Sequence, residues 1–223
     1  MPKKLMTEEQ LKEIGEWFIQ KIRSPERIVP FPKEKAKSPF IVATIGLTGS
    51  GRSTVARRII ESVPGAVYVQ SNSARKLINE DFRQYDLKWG ENIRKLLKYA
   101  ADRFLSEGYG VVFDGNAADV EDRENIRQIA EPSGAKVFYV RINIASEIAK
   151  EREKKRYDDP NWASSFDDYR VNTPEKMVKN IDDRAELHRT MKSSDIPNLI
   201  AEIDNNDSME KLQRQVEEAV AKI

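Results

Sequence analysis

Three glycines at positions 46, 49 and 51, followed by Arg52, Ser53 and Thr54, form the stretch best equipped for chemistry. Glycine tolerates backbone dihedrals and close approaches that a Cβ forbids, so successive N–H groups in such a turn can converge on one anion. An apolar run at 41–45 precedes the turn, and Val55, Ala56, Ile59 and Ile60 follow at helical spacing. That order predicts a strand, a turn and a helix over 55–62. A helix starting there adds the positive end of its dipole. The spacing fits G-x-x-x-x-G-K-[ST] at Gly46, Gly51 and Ser53, with Arg52 in the place of lysine, and reads as a phosphate cradle. Its expected binding residues are Gly46, Thr48, Gly49, Ser50, Gly51, Arg52, Ser53 and Thr54, with the Ser53 hydroxyl also a ligand for Mg²⁺.

Arg52 makes the cradle unusual. A lysine ammonium is a compact charge that can follow a transferring phosphoryl group, whereas guanidinium is planar and committed to a fork geometry. Phosphate binding should survive the exchange better than catalysis. Either the site works natively with arginine, or Arg52 is a substitution that weakens turnover.

A second buried-type strand, Tyr109-Gly110-Val111-Val112-Phe113-Asp114, ends in a carboxylate. In company with a phosphate cradle, such an aspartate is expected to hold Mg²⁺ or to polarise an acceptor hydroxyl. The segment Gln70-Ser71-Asn72-Ser73-Ala74-Arg75 follows a strand at 66–69 and reads as a polar loop facing the ligand crevice. Arg152 and Arg156 lead an irregular stretch, 157–170, expected to be a mobile segment that closes on phosphates and neutralises charge. His188, the sole histidine, is expected at the surface or at a helix cap.

The elements that must position these groups follow from periodicity. Thr7-Glu8-Glu9-Gln10 has the form of a capping box, and Leu11, Ile14, Trp17, Phe18 and Ile22 mark one amphipathic helix running to about residue 21. Four prolines between 24 and 39 predict an extended connector, so the chain divides into residues 1–39 and a domain at 40–223. Helices are expected at about 91–106, from 122, from 174 and from 208, and further strands at 136–142 and 199–204. Strand–helix units with short connections predict a parallel sheet covered on both faces.

Composition narrows the function. The 223 residues suit one α/β domain, and 38 basic against 37 acidic side chains leave no global field to recruit nucleic acid or membrane. The absence of cysteine removes disulfides and thiolate chemistry and suits a cytoplasmic protein, and no apolar run approaches a membrane span.

Together these residues resemble the P-loop small-molecule kinases, especially adenylylsulfate kinases and the kinase-like AAA proteins that include polynucleotide kinases and zeta toxins. The likeness covers about residues 40–205. Residues 70–75 stand where adenylylsulfate kinases have D-G-D-N-x-R, Glu91-Asn92-Ile93-Arg94-Lys95 is similar to E-N-I-R-R, and Glu121-Asp122-Arg123 to E-D-R. By that resemblance Asn72, Arg75, Asn92 and Arg94 would contact the acceptor. Asp114-Gly115-Asn116-Ala117 stands where that family has F-I-S-P and is closer to the polynucleotide-kinase branch, which adds Asn116 to the acceptor ligands. Gln70 and Asn72 replace the two acids, and an amide cannot take a proton from a hydroxyl, so Asp114 is the base that is left.

The resemblance implies a P-loop NTPase fold, a three-layer α/β/α sandwich on a five-stranded parallel sheet with an added N-terminal helix. It implies ATP and Mg²⁺ as cofactors, and transfer of a γ-phosphoryl group to a small molecule or nucleotide. Arg52, Asp114, Arg152 and Arg156 would be catalytic, with Ser53 and Asp114 on the metal. Two rivals are a nucleotide-binding regulator without turnover and a polynucleotide end kinase. The last would bring a nucleic-acid partner, which the neutral charge disfavours; a homodimer stays open.

Overall fold

The computed structural model describes residues 4–85, 87, 89–158 and 173–223. At its centre is β1 (Phe40–Gly46), all seven of whose residues are buried, as a strand flanked on both sides must be. With β2 (Ala66–Gln70), β3 (Gly110–Asp114), β4 (Lys136–Asn143) and β5 (Leu199–Asp204) it forms one sheet in the order β2-β3-β1-β4-β5. All four pairings are parallel, with Ala43 opposite Phe113 and Thr44 opposite Val140. Every strand therefore ends on one edge, and the chain reverses its direction of travel across the sheet beside β1, where an open α/β sheet leaves its ligand crevice.

Alternate β1 side chains divide the core between two faces. Ile41, Ala43 and Ile45 pack with α1 (Glu8–Arg23), α4 (Trp89–Ser106) and α5 (Val120–Ala130), while Phe40 and Val42 pack with α2 (Arg52–Ser62) and α8 (Met209–Val220). The expected three-layer sandwich is present. Beyond β4, α6 (Ser146–Asp158) packs on α7 (Pro174–Thr190), and this pair stands over the phosphate loop through the small cluster of Leu47, Ala149 and Ile181.

The N-terminal helix forms with the reciprocal cap that its sequence announces. Thr7 Oγ1 accepts from Gln10 N at 3.2 Å and Gln10 Oε1 accepts from Thr7 N at 3.0 Å. Its buried stripe of Ile14, Phe18, Ile19 and Ile22 enters the same cluster as the sheet, so the boundary at residue 39 separates no hydrophobic core. The proline-rich connector is likewise stitched down, with Phe31 centred 5.1 Å from Tyr109 and Ala36 N donating to Gly108 O at 3.0 Å. Trp17 departs from its apolar stripe. It is 42% exposed, edge-on to Phe82 with Lys21 over its ring.

Two further differences concern the ligand edge. The polar stretch after β2 is no loop: α3 (Ser71–Lys76) starts directly at the strand end. The mobile segment expected at 157–170 lies, beyond Asp158, outside the described residues. Among the described residues no helix is long and apolar enough to cross a membrane.

α1 lies so close to α4 that a Cβ on Gly15 would overlap the ring of Tyr99. Overpacking of this kind costs about 1–3 kcal/mol. Gly15→Val is therefore expected to lower the stability by that amount in urea unfolding, and Lys12→Ala, on the exposed side of the same helix, to leave it unchanged.

Candidate phosphate-binding site

The loop between β1 and α2 hangs from the central strand and is fixed at both ends by asparagines that follow β3 and β5. At its start Gly46 N donates to Asn116 Oδ1 at 3.2 Å. At its far end Asn205, buried just after β5, donates from Nδ2 to Ser50 O at 2.7 Å. Asn205 in turn accepts from Arg152 Nη2 at 3.0 Å through its backbone carbonyl. Sequence reasoning missed Asn205, because a single asparagine after the last strand carries no motif; its position at a strand end on the ligand edge is the one available signal.

The glycines do what the spacing anticipates. Gly49 and Gly51 have φ of +81° and +91°, where side chains are rarely tolerated, and a Cβ on Gly49 would stand 2.6 Å from Ala149 O. At Gly51 it would meet Asn205 Nδ2. Ser50 Oγ and Arg52 Nε are buried and find no hydrogen-bond partner among the described residues. Unmet buried donors in a cradle built from glycine at the N-terminus of a helix fit an anion with several acceptor oxygens.

Arg52 opens α2 and donates from Nη1 to Gly46 O. Burial pushes its guanidinium below the ordinary value, against the pull of Asp114 and Glu153, while Arg156 pushes the same way as burial. Arg75 is lowered too, first by burial and then by Arg52. These cations therefore share one field. Within it Asp114, 4% exposed, accepts at Oδ2 from Tyr68 Oη at 2.5 Å and from Gln70 Nε2 at 2.8 Å. Gln70 Nε2 also reaches Ser53 Oγ at 3.5 Å, so the two expected metal ligands stand on either side of one amide.

The other expected residues divide. Thr48 Oγ1 donates to Asn180 Oδ1 on α7 at 3.3 Å, and Thr54 sits half-buried in the first turn of α2. Asn72 Oδ1 accepts from Arg75 Nη1 at 2.6 Å, which brings that pair together beside the site. Arg156 donates to Glu153, a fully buried carboxylate in the field of Arg52.

Two expectations need correction. Asn92 is withdrawn from any acceptor, since it is buried and its amide is committed to the N-terminal segment, accepting from Met6 N at 2.8 Å and donating to Lys4 O at 3.1 Å. Arg94 is exposed and faces Asp122 and Glu121 at 3.9 and 4.0 Å. Arg152 ties α6 to the β5 end through Asn205; the segment it is expected to lead lies, beyond Asp158, outside the described residues.

His188 is buried instead of capping a surface helix. Its Nε2 lies 3.4 Å from Asn116 Nδ2, so the asparagine that holds Gly46 also touches α7. A half-exposed ion pair closes the other side, where Arg184 donates to both Asp119 oxygens at 3.1 and 2.7 Å and holds that carboxyl below its usual range.

Residues 41–187 match the family model described as AAA domain. No curated protein matches the sequence. Among solved structures, a gluconokinase from Sinorhizobium meliloti 1021 is similar with a TM-score of 0.54 at 16% identity, covering 82% of this chain and 93% of that one. Kti12 of Chaetomium thermophilum, in complex with ADP-AlF3, gives 0.57 at 14% identity over 79% of this chain and 95% of that one. A chain of the Pnkp1/Rnl/Hen1 RNA repair complex gives 0.50 at 15%, over 72% and 48%. These likenesses establish a P-loop kinase-like fold, and the chemistry has to be argued from the site.

Burial, with Arg52, Arg141 and Arg184 nearby, lowers the His188 ring from 6.5 to about 4. As pH falls, the unfolded chain takes up this proton first, so the histidine's contribution to stability is complete above about pH 6.5 and declines to about pH 4. The whole loss is about 3 kcal/mol. His188→Gln should flatten that part of the curve. Unfolding free energies of the two proteins that fall in parallel between neutral and mildly acidic pH would contradict it.

Proposed function

The chain belongs to this AAA domain family, and on that premise we propose that it is an ATP-dependent phosphotransferase that moves the γ-phosphoryl group to a hydroxyl of a small molecule or nucleotide. One observation carries the proposal: buried donors without partners, Ser50 Oγ and Arg52 Nε, line a glycine-walled cradle at a helix N-terminus, within the field of Asp114. Phosphoryl transfer asks a protein mainly for positioning and charge neutralisation. The glycine-walled loop and the cations around Arg52 support both roles.

In this reading the loop N–H groups, Ser50 and Arg52 bind the phosphates. Ser53 and Asp114 are the residues that would hold Mg²⁺, which when bound neutralises charge on the phosphate oxygens. Asp114, kept in place by Tyr68 and Gln70, is the carboxylate that would receive the acceptor proton. Asn72 and Arg75 of α3 would orient the acceptor, and Arg156 would add charge from α6. Exclusion of water would fall to α6 and α7, whose Leu47 cluster already seals one side of the loop. A cytoplasmic location belongs to the same proposal.

A regulator without turnover is the second reading, favoured by one feature: amides, Gln70 and Asn72, stand at the end of β2 and the start of α3. Radiolabelled γ-phosphoryl ATP, incubated with pooled metabolites and with oligonucleotides bearing free 5′-hydroxyls, separates the readings. Label in a metabolite supports the small-molecule kinase, label in an oligonucleotide supports an end kinase, and bound ATP without transfer supports the regulator.

ATP with Mg²⁺ should raise the melting temperature by mass action. Gly51→Val, which meets both a positive φ and Asn205, should abolish that rise; a full rise in the variant would remove the loop from the binding site. Arg52→Lys restores a compact charge and should increase phosphate transfer by about tenfold, equivalent to roughly 1.4 kcal/mol of barrier. Unchanged or slower transfer by Arg52→Lys would show that the site is built for arginine.

A further inference from the structure

Gln70 ends β2 directly opposite Asp114 in the ladder with β3. It is 3% exposed, and its amide has one orientation that satisfies its neighbours. Nε2 donates to Asp114 Oδ2 at 2.8 Å and approaches Ser53 Oγ at 3.5 Å, while Oε1 accepts from Ser73 Oγ at 3.3 Å. The reverse orientation would set the amide oxygen against a carboxylate. Backbone register and side-chain chemistry thus agree on the placement of the N–H groups.

That placement competes with a cation. Mg²⁺ needs oxygen ligands at about 2.0–2.1 Å in near-octahedral array and gives up water reluctantly. An amide N–H seeks the same lone pairs of Ser53 and Asp114, and Tyr68 Oη already donates to the same Asp114 oxygen at 2.5 Å. Entry of the ion would leave a buried amide to find new partners, which disfavours it. Meanwhile Arg52, with Arg75 and Arg156 in its field, brings positive charge to the loop without any metal.

We infer that Gln70 sets the metal dependence of this site: its carboxamide, held between Ser53 and Asp114, lets nucleotide bind the phosphate loop before Mg²⁺ and almost independently of it. The inference rests on the nucleotide-binding reading given above. The order it imposes is nucleotide first, then displacement of the amide, then the ion.

Isothermal titration of ADP, in EDTA and in excess Mg²⁺, tests it on the whole protein and on Gln70→Ala. The affinity of the wild-type protein is expected to change by less than threefold with Mg²⁺, and the Mg²⁺ effect in Gln70→Ala to be at least threefold larger than in wild type. A threefold or greater effect in wild type overturns the inference, as does a variant whose Mg²⁺ effect is less than threefold larger, and in both cases the binding of ADP leaves the kinase reading standing. Absence of ADP binding in every condition overturns that reading and the inference with it. Should Gln70→Ala fail to fold, the wild-type titration decides alone.

Discussion

The phosphate loop keeps its shape because two asparagine amides grip its ends. Asn116 holds Gly46 from the β3 side and Asn205 holds Ser50 from the β5 side, so a loop with two glycines at positive φ is fixed from the ends of one neighbour of β1 and of the edge strand. Each asparagine also reaches the helical pair above: the Asn116 amide touches His188 on α7, and the Asn205 backbone carbonyl accepts from Arg152 of α6. The position of α6 and α7 is thereby linked to the loop by direct contact. A ligand that shifts one end of the loop has a physical route to that pair, and the Arg184–Asp119 fork ties α7 to the start of α5.

Charge is the second constraint. A lysine in the loop could move with a transferring group, but Arg52 is anchored at Gly46 O and works in a low-dielectric setting where burial already disfavours its charge. Asp114 and Glu153 oppose that penalty and keep the cation in place. Such an arrangement suits firm holding of an anion better than travel with it.

Much of this was legible in the sequence. The strand–turn–helix at 40–62 could be read because glycine spacing and burial periodicity are local, and the parallel sheet followed from repeated units. What escaped was set by tertiary contact. Asn92 lies in a stretch similar to a substrate-binding motif, yet an N-terminal segment far away in the chain takes both ends of its amide. His188 lies near the end of α7 as its sequence suggests, but contact with Asn116 after β3 and with Arg141 of β4 buries it. Asn205 had no local signature, and Gln70 showed only what it was not; its role depends on the register that sets it opposite Asp114.

The central claim is that the Gly46–Thr54 segment is the place where triphosphate binds. Hydrogen–deuterium exchange with and without a non-hydrolysable ATP analogue tests this most directly, because the claim is about particular amide N–H groups. The account predicts slowed exchange across that segment and the first turn of α2, with smaller slowing where α6 and α7 meet the loop. Exchange there that is unchanged by a bound analogue, with protection elsewhere on the chain, would contradict it.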